Sequence, residues 1–144
     1  MNESTIRKTI SINAESGKVW EVLLDPPFTN EWGGEFLAGC SVESDWEPES
    51  EVVWKDKEGT PFARGVVSEI EPAALLRVAF YDDVNTGPPD PPGEFTETYE
   101  LSEENGQTVL CIATEMGPVD KDTVNKASAL WDKAMLKIKQ LAES

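Results

Sequence analysis

Two charged side chains stand where an alternating strand would otherwise present apolar groups. Within residues 62–71, Phe62, Arg64, Val66 and Ile70 share a side by alternation, and within residues 95–102, Phe95, Glu97, Tyr99 and Leu101 do the same. A charge on such a face needs an opposite charge, a hydrogen-bonding group or water. Arg64 and Glu97 would then either pair across a cavity or fix the polar end of a bound molecule. A bulge that shifted the strand parity would instead leave both in solvent.

Other chemistry lacks its parts. The chain has no histidine, which removes the usual general base near neutrality and the commonest transition-metal ligand. There is no G-x-S-x-G, no phosphate-cradling glycine loop and no dinucleotide fingerprint. Cys40 and Cys111 are far apart, with no C-x-x-C spacing, and are expected to be buried free thiols. The acids Glu43, Asp45, Glu47, Glu49 and Glu51 alternate, but without the glycine turn and terminal glutamate of a calcium loop. No metal and no cofactor are expected. The stripe reads as a solvated face, or as a docking edge for a basic protein. Catalytic residues are not assigned; a cyclase or hydratase working on cavity water with Glu97, Arg64 or Tyr99 is the third functional reading.

The elements that must position these residues follow from periodicity. Residues 5–13 alternate, with Ile6, Ile10 and Ile12 on one side, and predict a first strand. Asn13 and Ser16 are capping candidates for a short helix carrying Val19, Trp20, Leu23 and Leu24, and Pro26 and Pro27 break it. A second short turn of helix ends at Gly33 and Gly34, just after Trp32. Strands are expected at 40–47, 51–56, 62–71, 75–82, 95–102 and 108–116, with KDKEG and SEENG as hairpin turns. The segment NTGPPDPPG, too stiff and donor-poor for a central strand, reads as a projecting loop. Val124, Ala127, Trp131, Ala134, Met135, Ile138 and Leu141 then recur at helical spacing in one long amphipathic helix.

These elements form an α+β domain spanning residues 1–144: an antiparallel sheet of about seven strands with one face to cover and one helix to cover it. A chain of 144 residues suits a single domain. The net charge of −16 argues against nucleic acid or an anionic membrane as a partner. Residues 120–144 are nearly balanced, with Asp120, Asp122, Asp132 and Glu143 against Lys121, Lys126, Lys133, Lys137 and Lys139, so the acidity belongs to the body. No apolar run has the length of a membrane span, and the opening residues lack the pattern of a secretory signal, so the expected location is cytoplasmic.

Four stretches carry a resemblance. TIRKTISINAESGKVWEVLLDPPFTNEWGG, ARGVVSEIEPAALLRVAF, FTETYELSEENGQTVLCIATE and LWDKAMLKIKQLAE resemble, in order and separation, the helix-grip superfamily of the major birch pollen allergen, START lipid-transfer domains and polyketide cyclases. The most similar branch is the one named after the activator of the ninety-kilodalton heat-shock chaperone's ATPase. Two positions depart from that pattern: Leu130 stands where glycine often precedes the final-helix tryptophan, and Pro48, Glu49 and Ser50 replace a Pro-Gly.

The resemblance implies a curved sheet wrapped around the last helix and a cavity between them that typically holds an apolar ligand. On that reading Trp32, Trp54, Arg64, Phe80, Glu97, Tyr99, Trp131 and Met135 are the candidate ligand-binding residues, the aromatic ones otherwise being plain core. Alternation leaves the inner side of the last strand open between Val109, Cys111 and Ala113 and the pair Leu110 and Ile112. The first functional expectation is non-catalytic binding of a small aromatic or lipid-like molecule. The second is a chaperone-associated protein-interaction module.

Overall fold

The computed structural model describes residues 5–85, 92–93, 95–117 and 119–144. Element order is β1 (Thr5–Ile12), α1 (Ser16–Leu24), α2 (Pro26–Gly33), β2 (Ser41–Glu43), β3 (Glu51–Lys55), β4 (Pro61–Glu71), β5 (Leu75–Phe80), β6 (Thr96–Glu104), β7 (Gln107–Glu115) and α3 (Lys121–Glu143). The strands form one antiparallel sheet in the order β1-β7-β6-β5-β4-β3-β2, curled around α3 in the helix-grip arrangement. Most of the proline-rich segment expected to be a projecting loop lies outside the described residues.

Alternation decides which face each strand turns inward. In β7, Thr108, Leu110, Ile112 and Thr114 are buried, and in β5, Leu76, Val78 and Phe80 are. This resolves the parity of β7 in favour of Leu110 and Ile112. Cys111, on the outer side, is only partly buried, whereas Cys40 is fully so. The core joins these strands to Val19, Val22 and Leu23 of α1 and to Trp131, Ala134, Met135 and Ile138 of α3. Polar contacts align α3 along β1: Lys8 Nζ meets Asp132 at 2.7 Å, and Lys139 Nζ donates to the Ser11 carbonyl at 2.9 Å. Glu143 accepts from the Asn13 amide at 2.8 Å, tying the helix end to the end of β1.

Four local expectations are corrected. The helix break falls at Asp25, and Pro26 and Pro27 occupy the first turn of α2, where a missing amide hydrogen costs nothing. Neither Asn13 nor Ser16 caps α1: Glu15 is the N-cap, and Ser16 turns its amide and hydroxyl to Glu103. β2 ends at Glu43 because the chain then folds on two serines, the Trp46 amide donating to Ser44 Oγ and the Glu47 amide to Ser50 Oγ, both at 3.0 Å. Trp46 and Glu49 take positive φ in this loop (53° and 67°), so the acids from Glu43 to Glu51 do not form a straight stripe. Finally, a register shift between Val67 and Glu69 breaks the alternation of β4, placing Gly65 and Val67 inward and, beyond it, Ile70 opposite buried Leu76.

Gly65 has a packing reason to be glycine. A Cβ there would lie 2.6 Å from the Ala79 carbonyl oxygen and 3.1 Å from the Phe80 ring. Gly17, in α1, has nothing within 4 Å of the same position. Gly65→Ala should therefore lower the unfolding free energy by about 1–3 kcal/mol, whereas Gly17→Ala should raise it by about 0.5–1 kcal/mol. Urea denaturation of the two variants measures both signs.

Candidate functional site

α3 is held along β1 and against α1 and α2 rather than across the middle of the sheet. Between Lys121 and Leu130 no residue of α3 is fully buried; burial begins at Trp131. Beside Trp131, between the helix and the sheet, lies a cavity of about 550 Å³. Its walls come from α2 and the turn after it (Trp32, Phe36), from β3 and β4 (Trp54, Ala63) and from the far ends of β5 and β7 (Phe80, Met116). β6 contributes Glu97 and Tyr99, α3 contributes Trp131, and the exposed lining residues Phe62 and Asp82 mark the mouth.

Trp131 is the hub of the aromatic wall. It stacks on Trp32 (centroids 6.4 Å apart) and meets Phe36 and Tyr99 edge-on at 4.8 and 6.0 Å. Trp32 in turn meets Trp54 edge-on at 5.9 Å, and its indole N–H donates to the Val22 carbonyl at 2.8 Å, which locks α2 to α1. α2 can close on Trp54 because its last residue is Gly33, whose added Cβ would lie 2.9 Å from the Trp54 ring. Phe80 and Phe95 form a further edge-to-face pair at 5.2 Å. Such contacts fix ring orientations as well as burying area.

Five residues line both the main cavity and a void of about 10 Å³ next to it: Trp32, Trp54, Phe80, Glu97 and Tyr99. They form the cavity floor. On it, the Tyr99 hydroxyl donates to Glu97 Oε1 at 2.8 Å. Glu97 lies opposite Val78 on β5 and Thr114 on β7, and no lysine or arginine lines the cavity among the described residues. Burial pushes the Glu97 carboxyl up to about 7, with the Tyr99 hydrogen bond pulling the other way. Burial, and then the adjacent carboxylate, raises the Tyr99 phenol, and burial raises the Cys40 thiol in the same wall. The polar corner is thus a carboxyl that exchanges its proton near neutrality, steadied by a phenol that keeps its own.

Six of the eight sequence candidates meet here: Trp32, Trp54, Phe80, Glu97, Tyr99 and Trp131. Arg64 does not. It sits opposite Val53 in the β3–β4 register, on the outer side, where its Nε lies 2.8 Å from Glu51. The parity that grouped it with Ile70 fails at the β4 bulge, so no Arg64–Glu97 pair forms. Met135, one turn beyond Trp131, is buried in the core and does not line the cavity. Phe36, Cys40 and Met116 are wall residues outside the sequence candidates. Phe36 and Cys40 flank turns with no periodicity to expose them, and Met116 falls just beyond β7.

The profile of the family described as activator of Hsp90 ATPase homolog 1-like protein matches residues 13–143. No curated protein matches the chain. Among solved structures, ChR145 from Cytophaga hutchinsonii is 20% identical with a TM-score of 0.74, covering 99% of this chain and 97% of its own. CalU16 from Micromonospora echinospora is 16% identical with a TM-score of 0.72, covering 97% of this chain and 76% of its own. The Aha1 dimer from Colwellia psychrerythraea is 14% identical with a TM-score of 0.73, covering 97% and 96%. At these identities the likeness is one of fold.

The raised Glu97 carboxyl has a measurable consequence for folding. Its folded value of about 7 lies above the ordinary 4.5, so between those pH values the folded chain holds a proton that the unfolded chain has lost. The Glu97 contribution to stability is complete below the lower value and declines as pH rises through the upper, by up to about 3 kcal/mol. Urea unfolding at pH 5 and pH 8 should show the native chain losing more stability across the interval than Glu97→Gln. Equal losses would contradict this assignment.

Proposed function

The chain belongs to the family of activator of Hsp90 ATPase homolog 1-like proteins, and from that premise we propose that it binds a small aromatic or lipid-like molecule, without transforming it, in the cavity between the sheet and α3. The observation that carries this reading is the cavity of about 550 Å³, walled largely by aromatic side chains with one convergent polar pair, Glu97 and Tyr99. Volume and lining both fall in the range of pockets that enclose drug-sized ligands. Trp32, Trp54, Phe80 and Trp131 would supply contact area; Glu97 and Tyr99 would orient the ligand's polar end. Phe36 and Phe95 extend the wall.

The family's description favours a second reading, a chaperone-associated interaction module. The alternating acids that would have given it a docking edge are separated by the turn at Trp46 and Glu49, so the cavity ranks first.

Filling the cavity tests the reading without removing core. Ala63 is half-buried on the wall, and Ala63→Trp should occupy the space while leaving the Trp131 contacts in place. A panel of flavonoid-like, fatty acid and sterol probes, followed by tryptophan fluorescence and amide shifts, should bind the native chain and lose at least about tenfold in affinity to Ala63→Trp. Binding that is unaffected by the filled cavity would overturn the proposal. So would silence across the panel together with saturable binding to a chaperone middle domain.

A further inference from the structure

The charge balance of the cavity narrows the ligand class. Its lining carries two carboxylates, Glu97 and Asp82, and no cationic side chain among the described residues. The remaining polar groups that can titrate are the Tyr81 and Tyr99 phenols and the Cys40 thiol. Glu97 is the deeper acid, on the floor, and accepts a side-chain hydrogen bond from Tyr99. The elements packed around it bring no positive charge: Val78 from β5, Thr114 from β7, Trp54 from β3, Trp32 from α2 and Trp131 from α3.

A carboxylate on an aromatic floor is half of an ion pair. The π-faces of tryptophan, tyrosine and phenylalanine attract a cation, most strongly one whose charge is spread over a bulky ammonium group and which is weakly hydrated. A buried carboxylate attracts the same group and disfavours an anion. The net charge of −16 concentrates cations near the mouth. We infer that the cavity selects an amphiphilic organic cation, an aromatic or alkyl amine or quaternary ammonium, whose charged end sits on the floor against Glu97 and whose apolar body lies along Trp131 and Phe36 toward the mouth. The inference rests on the cavity reading above and names the class of ligand that reading leaves open.

Proton linkage follows. Glu97 must be ionised to pair with the cation, so a non-titrating cation should bind more tightly as pH rises through the range in which this carboxyl ionises, and should displace its proton.

Three matched probes test it by calorimetry: 2-naphthylmethyl-trimethylammonium, the hydrocarbon with carbon in place of the nitrogen, and 2-naphthylacetate. The ammonium should bind at least about tenfold more tightly than the hydrocarbon at pH 8, and the advantage should shrink by about that factor at pH 5.5. The naphthylacetate should bind weakest. Glu97→Gln should abolish the pH dependence and most of the ammonium's advantage over the hydrocarbon, its fold being checked independently by the near-ultraviolet circular dichroism of the tryptophan cluster. Equal binding of ammonium and hydrocarbon, or an ammonium preference untouched by Glu97→Gln, would overturn the cation assignment and leave the apolar cavity standing. If none of the three binds at either pH, both readings fall.

Discussion

Trp131 fixes the distance between the long helix and the sheet. It faces Trp32, Phe36 and Tyr99 at once, so the helix can approach no closer to the strands at that point than the stacked rings allow. Beyond Trp131, α3 settles into the core through Ala134, Met135 and Ile138 and is aligned by the Lys8–Asp132 pair. Before it, Val124 and Ala127 pack against the core but are only partly buried. The cavity thus opens where this large aromatic, halfway along the helix, meets the rings of α2 and of the sheet. An interior packed to the usual density would collapse onto smaller residues; here the rings hold one another apart.

Two features let a carboxyl survive on the floor among these rings. An isolated buried carboxylate is costly, and the structure lowers that cost in two ways. Tyr99 donates to Glu97, and the carboxyl takes up a proton more readily than an exposed glutamate does. Neither device supplies the positive charge that a lysine or arginine would. Among the described residues the arrangement leaves a preorganised polar group without a charged partner, in surroundings where a cation would be well received. Around it, Gly33 and Gly65 let backbone and ring approach within distances that any side chain would prevent.

Much of the fold was legible because periodicity is a direct image of burial. The alternation of β1, β5 and β6 and the spacing of Trp131, Ala134, Met135 and Ile138 name their inward faces without reference to anything distant. Where reading failed, a local departure from regular backbone was responsible. One bulge in β4 separates Arg64 from Ile70 and sends the guanidinium outward to Glu51. Two positive-φ residues, Trp46 and Glu49, turn an apparent strand and its acidic stripe into a loop built on serine hydroxyls. Non-glycine residues in that conformation leave little trace in sequence, since their cost is met by contacts formed elsewhere.

The sequence by itself determined the order of elements, the family, the inward faces of the regular strands and most of the aromatic wall, because each is set by residues a few positions apart. Only the tertiary structure decided that Glu97 and not Arg64 reaches the cavity, that Met135 is core while Trp131 is wall, and that Phe36, Cys40 and Met116 join it. Those outcomes depend on one bulge, on where α3 passes from partial to full burial at Trp131, and on turns whose neighbours come from strands far along the chain. A shift of one residue in register moves a charge from one face of a sheet to the other, and only packing against the opposite layer selects which register is kept.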